Sequence, residues 1–220
     1  MKRILSLILT LSMLSLLVSC GAAAPSPQPT QKAEKTAEST AQKTDASKAI
    51  VVYFSRAGEQ YKVGKIDEGN TAVVAKMAAE KTGADLFEIT PAQDNYPMDS
   101  YDALIEYAKK EQADNARPEI KGDAENFDSY DTVFLGYPIW WGDMPMIVYS
   151  FLEKHDFSGK TVIPFCTHEG SGNAGTKAKI EKALPSAKVG DVFAVRGEEA
   201  QKQRSTVQGK VDEWLKGYGY

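Results

Sequence analysis

Apolar residues along this chain come in short runs, separated by stretches in which they recur every three or four positions. The runs at 49–54, 84–89, 132–135, 161–166 and 191–195 are rich in Val, Ile, Phe and Tyr. Strands covered on both faces have that character, because neither side of the pleat meets water. Between them, helical spacing predicts helices at 71–82, 100–113, 145–154, 177–183 and 201–216. In the second of these, Tyr101, Leu104, Ile105 and Ala108 fall at i, i+3, i+4 and i+7, one apolar stripe for a sheet to cover. Five alternating strand–helix units with right-handed crossovers imply an α/β domain with a doubly wound five-stranded parallel sheet in a three-layer α/β/α sandwich.

The first 48 residues follow other patterns. A basic start, Met1-Lys2-Arg3, precedes an uncharged apolar run over 4–18. That run is short for a membrane span and fits a processing signal. It ends in Leu17-Val18-Ser19-Cys20-Gly21, which resembles a bacterial lipoprotein cleavage box. The resemblance implies that residues 1–20 are a lipoprotein signal peptide and lipobox, with Cys20 the lipidated residue of the mature chain. Residues 21–48 are mostly Ala, Thr, Gln, Lys, Ser and Pro, without periodicity or aromatics. They cannot bury enough apolar surface to offset their ordering entropy, so a disordered tether is expected. A flexible coil of about 28 residues spans about 30 Å. Residues 49–220 then form one folded domain, expected to be extracytoplasmic and lipid-anchored to a bacterial membrane.

Charge and cysteine content narrow the classes. The chain carries 26 Lys and Arg against 30 Asp and Glu, net −4, and the acidic excess grows beyond residue 48. Such a surface argues against nucleic acid as a partner. Of the 2 cysteines, Cys20 is assigned to lipid, which leaves Cys166, at the end of an apolar run, as an inert core thiol with no disulfide partner. No group of Cys, His or carboxylates has metal-ligand spacing, so no metal is expected.

The candidate chemistry lies at the carboxyl ends of the strands, where open parallel sheets bind ligands. After the run at 132–135 comes Gly136-Tyr137-Pro138-Ile139-Trp140-Trp141-Gly142. Two neighbouring indoles on such a loop suit a flat, conjugated ligand held by stacking. Being adjacent, they cannot both face one pocket, so one stacks while the other packs or meets a partner. The first run leads into Ser55-Arg56-Ala57-Gly58, and Gly69-Asn70-Thr71 later opens a helix. Small and hydroxyl residues before a helix N-terminus suit an anion such as a phosphate. The plainer alternative is a strand–turn–helix corner with Asn70 as N-cap. Neither the P-loop nor the Gly-x-Gly-x-x-Gly pattern falls on this first loop, which weighs against nucleoside triphosphates and nicotinamide dinucleotides. On the third loop, His168 could donate a hydrogen bond to a ring gaining charge, with Thr167, Gly170, Ser171 and Gly172 beside it.

Taken together, Tyr53–Gly58 with Gly69-Asn70-Thr71, Gly136–Gly142 and Pro164–Gly172 resemble, in order and spacing, the ligand loops of bacterial flavodoxin-like proteins. The resemblance covers 49–220. It implies strand order 2-1-3-4-5 and an FMN site. The implied contacts are Ser55, Arg56, Ala57, Gly58, Gly69, Asn70 and Thr71 around the phosphate. Pro138, Ile139, Trp140, Trp141 and Gly142 with Thr167, His168, Gly170, Ser171 and Gly172 would surround the ring. Two departures stand out: residues 59–68, carrying Tyr61, interrupt the phosphate loop, and the third loop offers His168 where many relatives stack a Tyr. The function implied is electron transfer at the outer face of the membrane, with redox proteins or a small-molecule acceptor as partners. The alternatives are an FMN-dependent NAD(P)H or quinone-type oxidoreductase, for which one open ring face leaves room, and a flavin-free binding or scaffolding lipoprotein.

Overall fold

The computed structural model describes residues 48–93 and 95–220. The expected leader, Cys20 and all of the tether but Lys48 lie outside the described residues. Five parallel strands form the sheet's path: β1 (Ala49–Phe54), β4 (Asp85–Ile89), β5 (Thr132–Pro138), β6 (Thr161–His168) and β7 (Lys188–Val189). β4 and β5 flank β1, β6 follows β5, and both β7 and β8 (Phe193–Arg196) pair with β6. This is the 2-1-3-4-5 order, with its last strand in two pieces.

Strand alternation divides the core into two layers. In β1, Ile50, Val52 and Phe54 join one apolar cluster while Val51 and Tyr53 join the other. Both sets are buried, so the strand reads as a continuous apolar run rather than an alternating one. The first layer is closed by α2 (Tyr101–Ala113), α3 (Met146–Lys154) and α4 (Thr176–Ala183), through Leu104, Ile147, Phe151 and Ile180. The second is closed by α1 (Asn70–Thr82), α5 (Gly197–Lys202) and α6 (Arg204–Lys216), through Val74, Ala200, Val207 and Val211. Of the predicted apolar stripe on α2, Leu104 and Ala108 are buried, and Tyr101 and Ile105 sit half-buried at its edge.

Three expectations are corrected. Residues 59–68 do not form an open loop: β2 (Gly58–Gln60) and β3 (Gly64–Ile66) pair antiparallel as a hairpin. The last strand does not run unbroken over 191–195, because Gly190 to Val192 interrupt it. Gly190 lies so close to the Tyr218 ring that a Cβ there would come within 2.6 Å of its hydroxyl. The final helix does not run from 201 to 216 in one piece. It breaks at Gln203, whose backbone (φ −132°, ψ 43°) leaves the helical region between α5 and α6.

Candidate functional site

Loops at the carboxyl ends of β1, β5 and β6 converge with the hairpin on a cleft of about 260 Å³. Its β5 wall is a tight turn. Trp140 N–H donates to Asp143 O (2.8 Å) and Asp143 N–H returns a bond to Trp140 O (3.0 Å). Trp141 (φ 50°) and Gly142 (φ 70°) both take the left-handed conformation, the type I′ geometry. Gly142 tolerates it at no steric cost, whereas a Trp there carries strain, which clusters at ligand sites. Asp143 holds the turn from below, accepting from Tyr149 Oη (2.9 Å) and pairing with Lys179 (2.8 Å).

The turn sends its two indoles apart. Trp140 packs edge-on against Phe54 and Tyr96, with ring centroids 5.4 Å and 5.5 Å away. Trp141 is 50% exposed, donates from Nε1 to Ile105 O (2.7 Å) and lies under the Lys109 ammonium. Both still line the cleft, and with Leu104 and Ile139 they border a second apolar cavity of about 190 Å³ against α2.

On the β6 side, His168 Nδ1 accepts from Gly170 N–H (3.0 Å) and Gly172 N–H (3.2 Å). An imidazole accepting at Nδ1 carries its proton on Nε2, so the neutral ring keeps Nε2–H to donate. Burial, reinforced by Arg196, holds its pKa below the usual 6.5. Next to it, Glu169 accepts from Glu198 N–H through Oε1 (2.8 Å), while Oε2 is buried without a hydrogen-bond partner. Burial raises the Glu169 pKa, and Arg196 and Lys62 offset part of the rise. A buried acceptor left open in a cleft is a ready partner for a ligand hydroxyl or N–H.

The α1 end supplies N–H groups. The first intrahelical bond runs from Val73 N–H to Gly69 O, and Ala72 N–H goes to Ser55 Oγ (3.0 Å). The amides of Asn70 and Thr71 therefore precede the ladder, with the positive end of the helix dipole behind them. Gly69, not Asn70, is the N-cap, and it has no side-chain cap bond. A Cβ on Gly69 would lie 2.2 Å from Ser55 Oγ, so that glycine is what lets Ser55 reach over the helix start. Asn70 Oδ1 instead accepts from Gln201 Nε2 (3.0 Å).

Asn70, Pro138, Ile139, Trp140, Trp141, Gly142, Thr167, His168 and Ser171 line the cleft. Ser55, Arg56, Ala57, Gly58, Gly69, Thr71, Gly170 and Gly172 are not among its lining residues. Arg56 is buried and directs its guanidinium to Glu59 O (2.6 Å) and Pro97 O, bracing the hairpin. Gly58 lies against Met98, where a Cβ would meet the carbonyl oxygen at 2.2 Å. Thr71 and Thr167 bond to each other through their hydroxyls. Tyr61, at the hairpin tip, stacks on Tyr101 at the start of α2 (5.5 Å, 25°), and both rings line the cleft. Gln60, Tyr101, Leu104 and Glu169 complete the wall without having been singled out. Glu169 carried a signal, being an acidic residue inside the third ligand loop, whereas Tyr101 and Leu104 looked only like helix packing.

Cys166 is fully buried and its thiol is pushed up to about 12 by burial alone, consistent with an inert core residue. Among the described residues no group of His, Cys, Asp and Glu is placed to hold a metal ion.

The flavodoxin family model matches residues 48–206. Among solved structures, a protein assigned as a flavoprotein from Bacteroides eggerthii is 31% identical, with 73% of this chain and 98% of that one covered and a TM-score of 0.58. One from Bacteroides uniformis is 29% identical, covering 77% and 98%, with a TM-score of 0.62. A flavoprotein from Lactobacillus acidophilus, solved in complex with FMN, is 20% identical over 73% and 99% of the two chains, with a TM-score of 0.54, a likeness of fold. No curated protein matches the chain.

Proposed function

This chain belongs to the flavodoxin family, and on that premise we propose that it binds FMN in the cleft and transfers electrons at the outer face of a bacterial membrane. The observation that carries the reading is the convergence of three loops, each with the chemistry one part of FMN requires. The amides of Asn70 and Thr71 at the α1 N-terminus suit the phosphate. Glu169 Oε2, buried and unpartnered, suits a ribityl hydroxyl or a ring N–H. Trp140 and Trp141 on one side, and the His168 Nε2–H on the other, suit the ring. These residues fit the group. At about 260 Å³ the cleft is small for the whole of it, but a neighbouring cavity of about 270 Å³ under the hairpin shares Gln60, Tyr61 and Tyr101 with it.

When bound, FMN would supply the redox chemistry. The chain's part is to position the ring, exclude water and bias its potential through nearby charge and hydrogen bonds. Lipidation at Cys20 and a tether over 21–48 would hold the domain near the membrane, with redox proteins or a small-molecule acceptor as partners.

A second reading, an FMN-dependent oxidoreductase acting on NAD(P)H or a quinone-type acceptor, draws on one feature. The His168 loop sets no aromatic ring over the cleft, and Tyr61 is stacked on Tyr101. One ring face would then be open to a substrate. Titration of the purified chain with FMN, followed by stepwise anaerobic reduction under absorption, tests both. Tight binding with two resolved one-electron steps supports the carrier, and a single two-electron step supports the oxidoreductase. Absence of binding overturns both and leaves a flavin-free binding lipoprotein.

A further inference from the structure

A cavity larger than the cleft lies elsewhere on the domain. It is a groove of about 490 Å³ between the C-terminal half of α2, the residues Pro91, Gln93, Asn95 and Tyr96, and the segment 116–119, and it shares no lining residue with the cleft. Backbone bonds from Ala92 N–H to Glu119 O and from Lys121 N–H to Thr90 O tie the two segments together and fix one wall. The volume falls in the range of small-molecule sites.

At its floor sits Glu111, 8% exposed. Tyr96 Oη donates to both carboxylate oxygens (3.3 Å and 3.2 Å). The two rings meet edge to face, 5.3 Å apart, beside the carboxylate. No cation among the described residues pairs with Glu111. Lys110, its neighbour, is bonded to Asp114, and Arg117 is held by Glu153 through Nε (2.9 Å) and Nη2 (2.7 Å). Glu119 adds a further carboxylate to the lining, while Asp114 is neutralised by Lys110. Buried carboxylates are ordinarily matched by a positive group, and here the chain directs its own cations elsewhere. Burial accordingly holds the Glu111 carboxyl above the usual range.

We propose that this groove is a second binding site, for a small organic amine. Its ammonium would bond to the Glu111 carboxylate, and its apolar body would lie against the Tyr96 and Tyr107 rings. A carboxylate that shares the single Tyr96 hydroxyl proton still has lone pairs for an ammonium donor. The same ammonium beside two tyrosine rings gains from their negative faces. The remaining walls, including Pro91 and Pro118, suit an apolar body. The site lies next to the cleft, since the Tyr96 ring also packs on Trp140, yet it does not depend on what the cleft holds.

The test is a titration of the full chain with phenethylammonium, followed by calorimetry and by amide NMR shifts, with uncharged 2-phenylethanol as control. Saturable binding is expected, with shifts centred on Tyr107, Glu111 and Arg117. The alcohol should bind at least tenfold more weakly, and Glu111→Gln should cost the amine at least tenfold. Saturating FMN should leave the amine affinity within twofold. Absence of saturation overturns the proposal, as does equal binding of the alcohol, shifts centred on 138–142 and 167–171, or displacement by FMN. The alcohol comparison needs no variant, so it decides the matter even where Glu111→Gln folds poorly. Failure here would leave FMN binding, measured separately, untouched.

Discussion

The hydroxyl oxygens of Thr71 and Thr167 lie 2.8 Å apart, although 96 residues separate them in the chain. Thr71 is 1% exposed and Thr167 3%, so this bond is the buried pin between the start of α1 and the end of β6. It sets the distance between the two loops on either side of the cleft.

Replacing either threonine with Val would leave the other hydroxyl buried and unpaired, at a cost of about 1–3 kcal/mol. The double replacement should cost less than the sum of the singles, since no orphan hydroxyl then remains. Urea unfolding of the four proteins measures it. Strict additivity would mean that the two groups do not depend on each other.

His168 predicts an acid limb. Its folded-state pKa is lowered by burial and by Arg196, so the native loop favours the neutral ring. The stability it contributes is fully present above the unfolded value of about 6.5 and is lost as pH falls through the lower folded value. A proton on Nδ1 would also eject the Gly170 and Gly172 amides. Exchange at those two amides should quicken on acidification, and FMN affinity should fall with it. A His168→Phe protein should lack that pH step. An unchanged step in the variant would assign it to another group.

Gly136, on β5, faces Phe165 across the β5–β6 pair, and a Cβ would lie 2.2 Å from the ring. Gly136→Ala should destabilise the domain by about 1–3 kcal/mol through overpacking. Adding Phe165→Leu should recover part of that loss. Thermal unfolding checks both, and a neutral Gly136→Ala would show that the ring moves aside freely.

Gly197→Ala tests the cleft rather than the core. Its Cβ would meet Asn70 Nδ2 at 2.1 Å and Glu169 Oε1 at 2.7 Å, both far ends of side chains. Moving them breaks the Gln201–Asn70 and Glu198–Glu169 hydrogen bonds, about 1 kcal/mol each, so the melting temperature should fall by a few degrees. FMN affinity should fall several-fold, because two groups of the cleft wall have been pushed off position. Unchanged affinity would remove the side chains of Asn70 and Glu169 from the binding surface.

For the proposed anchor, Cys20→Ala should move the protein from the membrane fraction to the soluble one, read by fractionation and immunoblot. Retention in the membrane fraction would rule out lipidation as the means of attachment.

Much of the sheet was legible because burial on both faces leaves only one kind of residue available. The run Ile50–Phe54 has no polar position, and all five residues are buried between the two helical layers. The hairpin was not legible. Its strands are three residues each, polar, and made possible by Gly58 (φ 85°) and Gly64 (φ 87°), whose conformation composition does not reveal. Nor was the part played by Arg56. A loop arginine beside a phosphate and one bracing Pro97 O and Glu59 O look alike in sequence.

What the sequence determined by itself was the layered α/β architecture and the three loops on which to look for a site. Both follow from local constraints: the period of apolar positions, and the small or hydroxyl residues that a sharp strand-to-helix turn allows. What only the tertiary structure decided is which way each side chain on those loops turns. Trp140 goes inward and Trp141 toward α2, Thr71 pairs with Thr167 rather than facing the cleft, and Glu111 lies under Tyr96 far from any loop motif. Those outcomes rest on contacts between residues 15 to 96 positions apart. No local pattern encodes such contacts, because the partner's position is set only when the layers close.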